Sequence, residues 1–267
     1  MDFMKLIKTV FCLVLCAFLL GGCSFDMSGI NNVIDSVTPK DVTGEMNYFT
    51  TTPADGIPAT KLDFENISFT NTDAKIYIVP SDETKVEVSY PSGMESHGFK
   101  VEIRGGEIDI SVPKQTNFSA ENFEVKVYAN IEEIEISGGI AVEMDAYKSK
   151  KLSLDVKGGT SVYVYNIDVT EMEMDIDGAA SINLSGTADY FEIDLAGAGA
   201  IDAKSLVCKK AEVKISGAGS AELSVTDELL ADVDGVGALG YYGDPVLKNI
   251  SGGLTDVEQI SKNIYGG

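Results

Sequence analysis

The sequence predicts an all-β protein, a right-handed parallel β-helix (β-solenoid) whose rungs each take about 20 residues. Three observations support this fold class. From residue 61 onward, apolar and polar residues alternate with a period of two, as in strands that bury one face. Glycines recur at nearly constant spacing, at Gly138, Gly158, Gly178, Gly197, Gly217 and Gly235. Apolar residues also keep the same position relative to each glycine, so the repeat extends to the side chains.

The apolar columns explain why these units should stack. Two residues before the glycines stand Ile136, Val156, Ile176, Leu195, Ile215 and Val233, and four before stand Ile134, Leu154, Met174, Ile193, Val213 and Ala231. One short unit cannot bury its apolar side alone, but stacked copies can, because each strand pairs with its equivalent one unit on. Small residues then mark corners where a Cβ has no room, and the crossover rule favours the right-handed form. An antiparallel sandwich also has period-two strands, but it does not require one residue class at one phase in six successive units.

The first 22 residues have the pattern of a lipoprotein signal peptide. Lys5 and Lys8 accompany an apolar run that ends at Leu20, and Gly21-Gly22-Cys23 follows. The run is shorter than the roughly 20 residues of a membrane-spanning helix. We therefore expect residues 1–22 to be cleaved and Cys23 to carry a lipid. The protein would then be anchored at the extracytoplasmic face of the cell membrane, or in the outer membrane if the cell has two.

Three regions are expected after the signal peptide. Residues 23–60 are rich in Ser, Thr, Asn and Pro and are typical of a lipidated flexible tether. Residues 61–130 should form strands that cap or extend the solenoid, with a tight hairpin turn at Arg104-Gly105-Gly106-Glu107. Residues 131–267 should form the solenoid and its C-terminal cap.

Composition argues against several classes of function. The formal net charge is −22, so nucleic-acid binding through phosphate neutralisation is not expected. His97 is the only histidine in the sequence and Arg104 the only arginine, which leaves little material for a catalytic triad or a multi-histidine metal site. Cys208 has no cysteine partner once the signal peptide is removed and is interpreted as a small core residue. We expect neither an enzyme nor a cofactor.

An acidic column precedes the repeat glycines by three residues and faces outward. It consists of Glu135, Asp155, Asp175, Asp194, Lys214 and Asp232. Stacked like charges repel each other, so either solvent screens them or cations lie between them. The two interpretations are a solvated face that keeps the protein soluble and a weak Ca²⁺ ladder with carboxylate ligands.

A second outward patch contains Tyr163 and Tyr165. One rung before, the equivalent positions are occupied by Glu143 and Asp145. One rung after, the position equivalent to Tyr163 is occupied by Asn183. Aromatic faces beside polar side chains suit a sugar ring or a partner protein. The alternative is that these are exposed tyrosines without a function.

Three short segments resemble a known family. Ala196-Gly197-Ala198-Gly199-Ala200, Ile215-Ser216-Gly217-Ala218-Gly219-Ser220 and Tyr241-Tyr242-Gly243-Asp244-Pro245 are similar to the head-GIN domain of the putative auto-transporter adhesins. The resemblance implies a right-handed β-helix on a bacterial envelope protein and brings no catalytic residues with it. We therefore expect a non-enzymatic adhesion or surface-binding module that contacts an envelope glycan or a surface protein. The alternative is an accessory protein of an envelope-stress or assembly system that binds a membrane-protein partner.

Overall fold

Most of the described chain lies in β-strands. The computed structural model describes residues 40–41, 45–69, 75–119, 123–234, 236–252 and 256–260. The strands are β1 (Lys40–Asp41), β2 (Met46–Thr51), β3 (Lys61–Phe69), β4 (Lys75–Val79), β5 (Lys85–Pro91), β6 (Lys100–Arg104), β7 (Glu107–Ser119), β8 (Glu124–Tyr128), β9 (Glu133–Gly139), β10 (Ala141–Asp145), β11 (Lys148–Val156), β12 (Gly159–Ile176), β13 (Ala179–Leu195), β14 (Ala198–Ile215), β15 (Ala218–Val233), β16 (Val236–Tyr242), β17 (Val246–Gly252) and β18 (Asp256–Gln259). A 3₁₀ helix, Ser92–His97, lies between β5 and β6. Within the described ranges, no helix has the length and hydrophobicity needed to cross a bilayer.

From β9 onward, each rung stacks on the preceding one in parallel register. Leu154 pairs with Met174, Met174 with Ile193, and Ile193 with Val213. Each of these side chains is at most 2% exposed, so the column four residues before the glycines forms an apolar ladder inside the solenoid. The predicted parallel β-solenoid with rungs of about 20 residues is confirmed.

At four repeat glycines, Gly158, Gly178, Gly197 and Gly217, the backbone of the preceding rung leaves no room for a side chain. A Cβ built on Gly197 would lie 1.9 Å from the carbonyl oxygen of Gly178, and one on Gly217 would lie 1.9 Å from that of Gly197. Non-bonded carbon atoms normally stay about 3.5 Å or more apart. The backbone of the neighbouring rung therefore occupies the space that a side chain would need.

The first rungs of the solenoid are stacked out of sequence order. β3 and β4 lie between the rung of β7 and β8 on one side and the rung of β9 and β10 on the other. Leu62 accordingly pairs with both Ile108 and Ile134, and all three side chains are buried. The apolar ladder therefore continues into the rungs that begin at residue 61.

Antiparallel strands flank this beginning of the solenoid. β2 pairs with β5 and β5 with β8, while β6 pairs with β7. The turn between β6 and β7 has φ of 62° at Gly105 and 85° at Gly106, which glycine adopts without the steric cost that a Cβ brings. The predicted hairpin at Arg104–Glu107 is confirmed. At the other end, β17 pairs with β15 and β18 with β16.

Candidate binding face

The predicted tyrosine patch lies on the outward face of β10, β12 and β13. Glu143 pairs with Tyr163 and Tyr163 with Asn183, while Asp145 pairs with Tyr165. Adjacent strands are about 4.8 Å apart, so the structure brings all five predicted side chains onto one surface. The residues that alternate with Glu143 and Tyr163 along β10 and β12 are buried.

A bend in β12 follows directly after Tyr165. Asn166 has a φ of 53°; its Nδ2 donates to Oδ1 of Asp145 at 2.8 Å, and its backbone N–H donates to Oγ of Ser185 at 3.2 Å. The two tyrosine rings are 6.3 Å apart between centroids and tilted by 31°, within the range where aromatic pairs attract each other. Because Tyr165 is 36% exposed, its ring is accessible to a ligand.

Two further tyrosines, which were not predicted, extend this surface. β4 lies beside β10, so Tyr77 pairs with Glu143. β8 lies on the other side of β4, so Tyr128 pairs with Val79, which is 38% exposed. The available sequence signal was the alternation in β4, where Lys75 and Tyr77 alternate with the apolar residues Ile76 and Ile78. The glycine repeat does not indicate that β4 is inserted beside β10.

We call this surface the tyrosine face. It comprises Tyr77, Tyr128, Tyr163 and Tyr165 together with Lys75, Lys85, Glu87, Lys126, Glu143, Asp145 and Asn183. The strands that carry it lie side by side in the order β5, β8, β4, β10, β12, β13. The long direction of the tyrosine face is therefore roughly perpendicular to the strands.

Lys75 is positioned between an aromatic ring and a carboxylate. Its Nζ lies 3.6 Å from Oε2 of Glu143 and 5.8 Å from the centroid of the Tyr77 ring. Tyr77 and Glu143 together raise the pKa of Lys75. The ammonium group therefore compensates the charge of Glu143 and lies close enough to Tyr77 for a cation–π contact.

A second set of contacts links Lys85, Glu87 and Tyr128. The Nζ of Lys85 lies 2.7 Å from Oε1 of Glu87 and 4.2 Å from the centroid of the Tyr128 ring. The Tyr128 hydroxyl donates to Oε2 of Glu87 at 3.1 Å. The hydrogen bond from Lys85, followed by that from Tyr128, lowers the pKa of Glu87. With Lys126 lying 2.9 Å from Glu124, each lysine of the tyrosine face has a carboxylate partner.

A cleft of about 670 Å³ adjoins the tyrosine face. It is lined by residues of β2, β5 and β8, among them Tyr48, Glu87 and Lys126. Tyr48 is 75% exposed and pairs with Ser89 of β5. Since Glu87 and Lys126 belong to both regions, the cleft continues the tyrosine face toward β2.

The predicted acidic column is stacked in register. Consecutive rungs pair the residues in the order Glu135, Asp155, Asp175, Asp194, Lys214 and Asp232. Partial desolvation, followed by repulsion from the neighbouring carboxylates of Asp155 and Asp194, raises the pKa of Asp175. The column is therefore electrostatically unfavourable at Asp175.

Lysines lie beside this column as well. The Nζ of Lys61 is 2.6 Å from Glu135, and that of Lys157 is 2.7 Å from Asp155. Among the described residues, no three Asp, Glu, His or Cys side chains are grouped so that they could hold a metal ion. Lysine ammonium groups thus compensate part of the charge that suggested a cation ladder.

The remaining residues singled out in the sequence have separate positions. Cys208 is 1% exposed, its Sγ donates to the carbonyl oxygen of Ser224 at 3.2 Å, and burial raises its pKa to about 12. A thiol with such a pKa is a poor nucleophile at neutral pH. His97 ends the 3₁₀ helix, and Cys23, the signal peptide and residues 24–39 lie outside the described residues.

The fold is similar to that of several crystal structures. A putative adhesin from Bacteroides fragilis NCTC 9343 matches with a TM-score of 0.73 at 19% identity, over 83% of this chain and 100% of that chain. A putative lipid binding protein from Parabacteroides distasonis ATCC 8503 matches with a TM-score of 0.59 at 14% identity, over 83% and 100%. A putative adhesin from Parabacteroides merdae ATCC 43184 matches with a TM-score of 0.50 at 18% identity, over 83% and 99%. At these identities the similarity establishes a shared fold. The search of curated proteins produced no significant match.

A family model matches most of the chain. It is described as "Putative auto-transporter adhesin, head GIN domain" and covers residues 63–245. This range contains the repeat glycines and all three segments on which the resemblance was based. The chain therefore belongs to the head GIN domain family of putative auto-transporter adhesins.

Proposed function

We propose that this protein is a non-enzymatic surface-binding module, anchored by a lipid on Cys23, that binds its partner through the tyrosine face. The observation that carries the proposal is the register of the tyrosine face. Glu143 pairs with Tyr77 on one side and with Tyr163 on the other, so two aromatic rings flank one carboxylate on adjacent strands.

The scaffold makes this surface suitable for binding. β4, β10 and β12 are each hydrogen-bonded on both edges, and the residues that alternate with the tyrosines are buried. The side chains are therefore displayed on a rigid sheet, which lowers the conformational entropy lost on binding. Membership of a family described as adhesins supports the same proposal.

The binding role is tested by cell attachment. Cells that produce the wild-type chain are compared with cells that produce the double variant Tyr163→Ala/Tyr165→Ala, for adherence to immobilised bacterial envelope fragments. Val207→Ala, an exposed apolar residue of β14 at 47% exposure, serves as the control for surface truncation. We expect the double variant to lose adherence and Val207→Ala to retain it. Equal adherence of the double variant and the wild type would contradict the proposal.

The anchor is tested separately at Cys23. A Cys23→Ser variant lacks the thiol that carries the lipid, so we expect it to leave the membrane fraction and to lose labelling by an alkyne fatty acid. The wild-type chain in the same strain is the reference. Retention of Cys23→Ser in the membrane fraction would show that another element holds the protein there.

A further inference from the structure

We propose that the tyrosine face binds a linear, uncharged glycan that lies across the strands, along the axis of the solenoid. This inference rests on the proposed function and specifies the class of ligand. It is carried by the spacing of the aromatic rings, by the pairing of the surrounding charges and by the closure of the strand edges.

The spacing of the rings follows from the strand register. Tyr77, Glu143 and Tyr163 occupy one outward column on β4, β10 and β12. Two strand spacings of about 4.8 Å separate the rings, so Tyr77 and Tyr163 are about 9.6 Å apart across the sheet. A chain of linked sugar rings that runs perpendicular to the strands can place one ring on each tyrosine. Because a pyranose has an apolar C–H face and polar edges, it suits aromatic rings that alternate with hydrogen-bonding groups.

Polar groups lie at both ends of the column formed by Tyr77, Glu143 and Tyr163. Asn183 continues the column beyond Tyr163, and Lys126 continues it beyond Tyr77. Tyr165 lies in the neighbouring column, beside the carboxylate of Asp145. Amide, hydroxyl and carboxylate groups thus surround the rings, and each can exchange hydrogen bonds with sugar hydroxyls.

The charges favour an occupant without ionic groups. The chain as a whole is strongly acidic, with a net charge of −22, so an anionic polymer is repelled at long range. On the tyrosine face, Glu87 and Glu143 lie beside Lys85 and Lys75, so this surface also has little unpaired negative charge for a polycation. Asp145 is held by the side-chain amide of Asn166. An uncharged ligand needs no further charge compensation at such a surface.

The closed strand edges argue against an extended peptide. A peptide that adds a strand requires a free edge, but β4 pairs with β8 and β10, and β10 pairs with β4 and β12. A ligand at the centre of the tyrosine face therefore contacts side chains alone. This is the mode in which a glycan binds, through ring stacking and hydroxyl hydrogen bonds.

The test uses the full chain, purified in a detergent without sugar groups so that the detergent does not compete. The probes are uncharged hexasaccharides of β-1,4-linked glucose, xylose, mannose and N-acetylglucosamine, with polygalacturonate and a proline-rich peptide as contrasting ligands. The sequence contains no tryptophan, so changes in tyrosine fluorescence can be followed without a tryptophan background, and calorimetry measures the affinity. We expect saturable binding of at least one uncharged hexasaccharide and none of polygalacturonate or peptide.

Variants separate stacking from misfolding. Tyr77→Ala and Tyr163→Ala should each weaken hexasaccharide binding by about tenfold, because each removes one stacking platform. Tyr77→Phe and Tyr163→Phe should bind within about threefold of the wild type, because the ring is retained.

Two results would overturn the inference. If no uncharged hexasaccharide binds at millimolar concentration, or if polygalacturonate or the peptide binds in its place, the ligand class is wrong. If the alanine variants bind hexasaccharide as the wild type does, the site is wrong. The attachment assay distinguishes these failures from failure of the proposed function, since loss of adherence in Tyr163→Ala/Tyr165→Ala would still support a binding role for the tyrosine face.

Discussion

Replacing the repeat glycine Gly197 by alanine should destabilise the solenoid far more than replacing Gly159, the residue that directly follows the repeat glycine of another rung. In the variant Gly197→Ala, the new Cβ would lie 1.9 Å from the carbonyl oxygen of Gly178. Ordinary contact begins near 3.4 Å, so the rungs must separate locally by about 1.5 Å. That carbonyl oxygen accepts a hydrogen bond from the backbone N–H of Ala198 at 2.7 Å, and separation would break it.

The expected cost is the sum of two effects. Overpacking of a close-packed site costs about 1–3 kcal/mol, and loss of a hydrogen bond costs about 1 kcal/mol. We therefore expect the free energy of unfolding to fall by about 3 kcal/mol. For a domain of this size, each kcal/mol lowers the melting temperature by about 2–4 °C, so the melting temperature should fall by about 6–12 °C.

Gly159→Ala is the matched control. Nothing lies within 4 Å of a Cβ built on Gly159, and the same column holds Ala179, Ala198 and Ala218 in the following rungs. We expect the free energy of unfolding of this variant to equal that of the wild type or to exceed it by no more than about 1 kcal/mol. Thermal and urea unfolding, followed by far-ultraviolet circular dichroism, measure both variants. Equal midpoints for Gly197→Ala and Gly159→Ala would refute the steric argument.

Three further predictions concern charge and thiol reactivity. Lys61→Met should lower the free energy of unfolding by about 1 kcal/mol at pH 7, because Lys61 contacts three carboxylates and lowers the pKa of Glu135. This stabilisation is present above the ordinary glutamate pKa and is lost as the pH falls through the lowered value, so urea unfolding at pH 3 should show a smaller difference. Asp175→Asn should be neutral or stabilise by no more than about 0.5 kcal/mol at pH 7. The raised pKa of Asp175 makes its ionised form unfavourable in the folded state, and an equal gain at pH 3 would contradict this explanation. Cys208 should resist alkylation at pH 8 in the folded protein and react fully in guanidinium chloride, as measured by peptide mass spectrometry; rapid labelling of the folded protein would show that the thiol is accessible.

Much of the fold was predictable because its causes are local. An inward column such as Leu154, Met174 and Ile193 needs only a period of two within each strand and a constant rung length between strands. The glycine positions follow from the close approach of successive backbones, which leaves no room for a Cβ at Gly158, Gly178, Gly197 and Gly217. Both patterns recur in each unit, so they can be recognised in the sequence without knowing the three-dimensional structure.

The order of the first rungs was not predictable in the same way. The alternation in β3 and β4 is compatible with any position in the ladder, because backbone hydrogen bonds between strands do not depend on side-chain identity. Lys61 shows which position is occupied, since it contacts Glu107 on one side and Glu133 and Glu135 on the other. Such contacts join residues that are distant in the sequence.

The candidate site, like the fold, was predictable only in part. Tyr163 and Tyr165 can be recognised in the sequence because they share one strand and project at alternate positions, with Glu143 and Asn183 one rung away in the repeat. Tyr77 reaches this surface only because β4 is inserted beside β10. The sequence by itself determined the rung length, the buried columns and the glycine corners, all of which follow from backbone sterics and burial within one unit. The tertiary structure decided which rungs are neighbours, and hence that tyrosines and paired charges from distant segments form one face, because strand pairing depends on long-range arrangement of the chain.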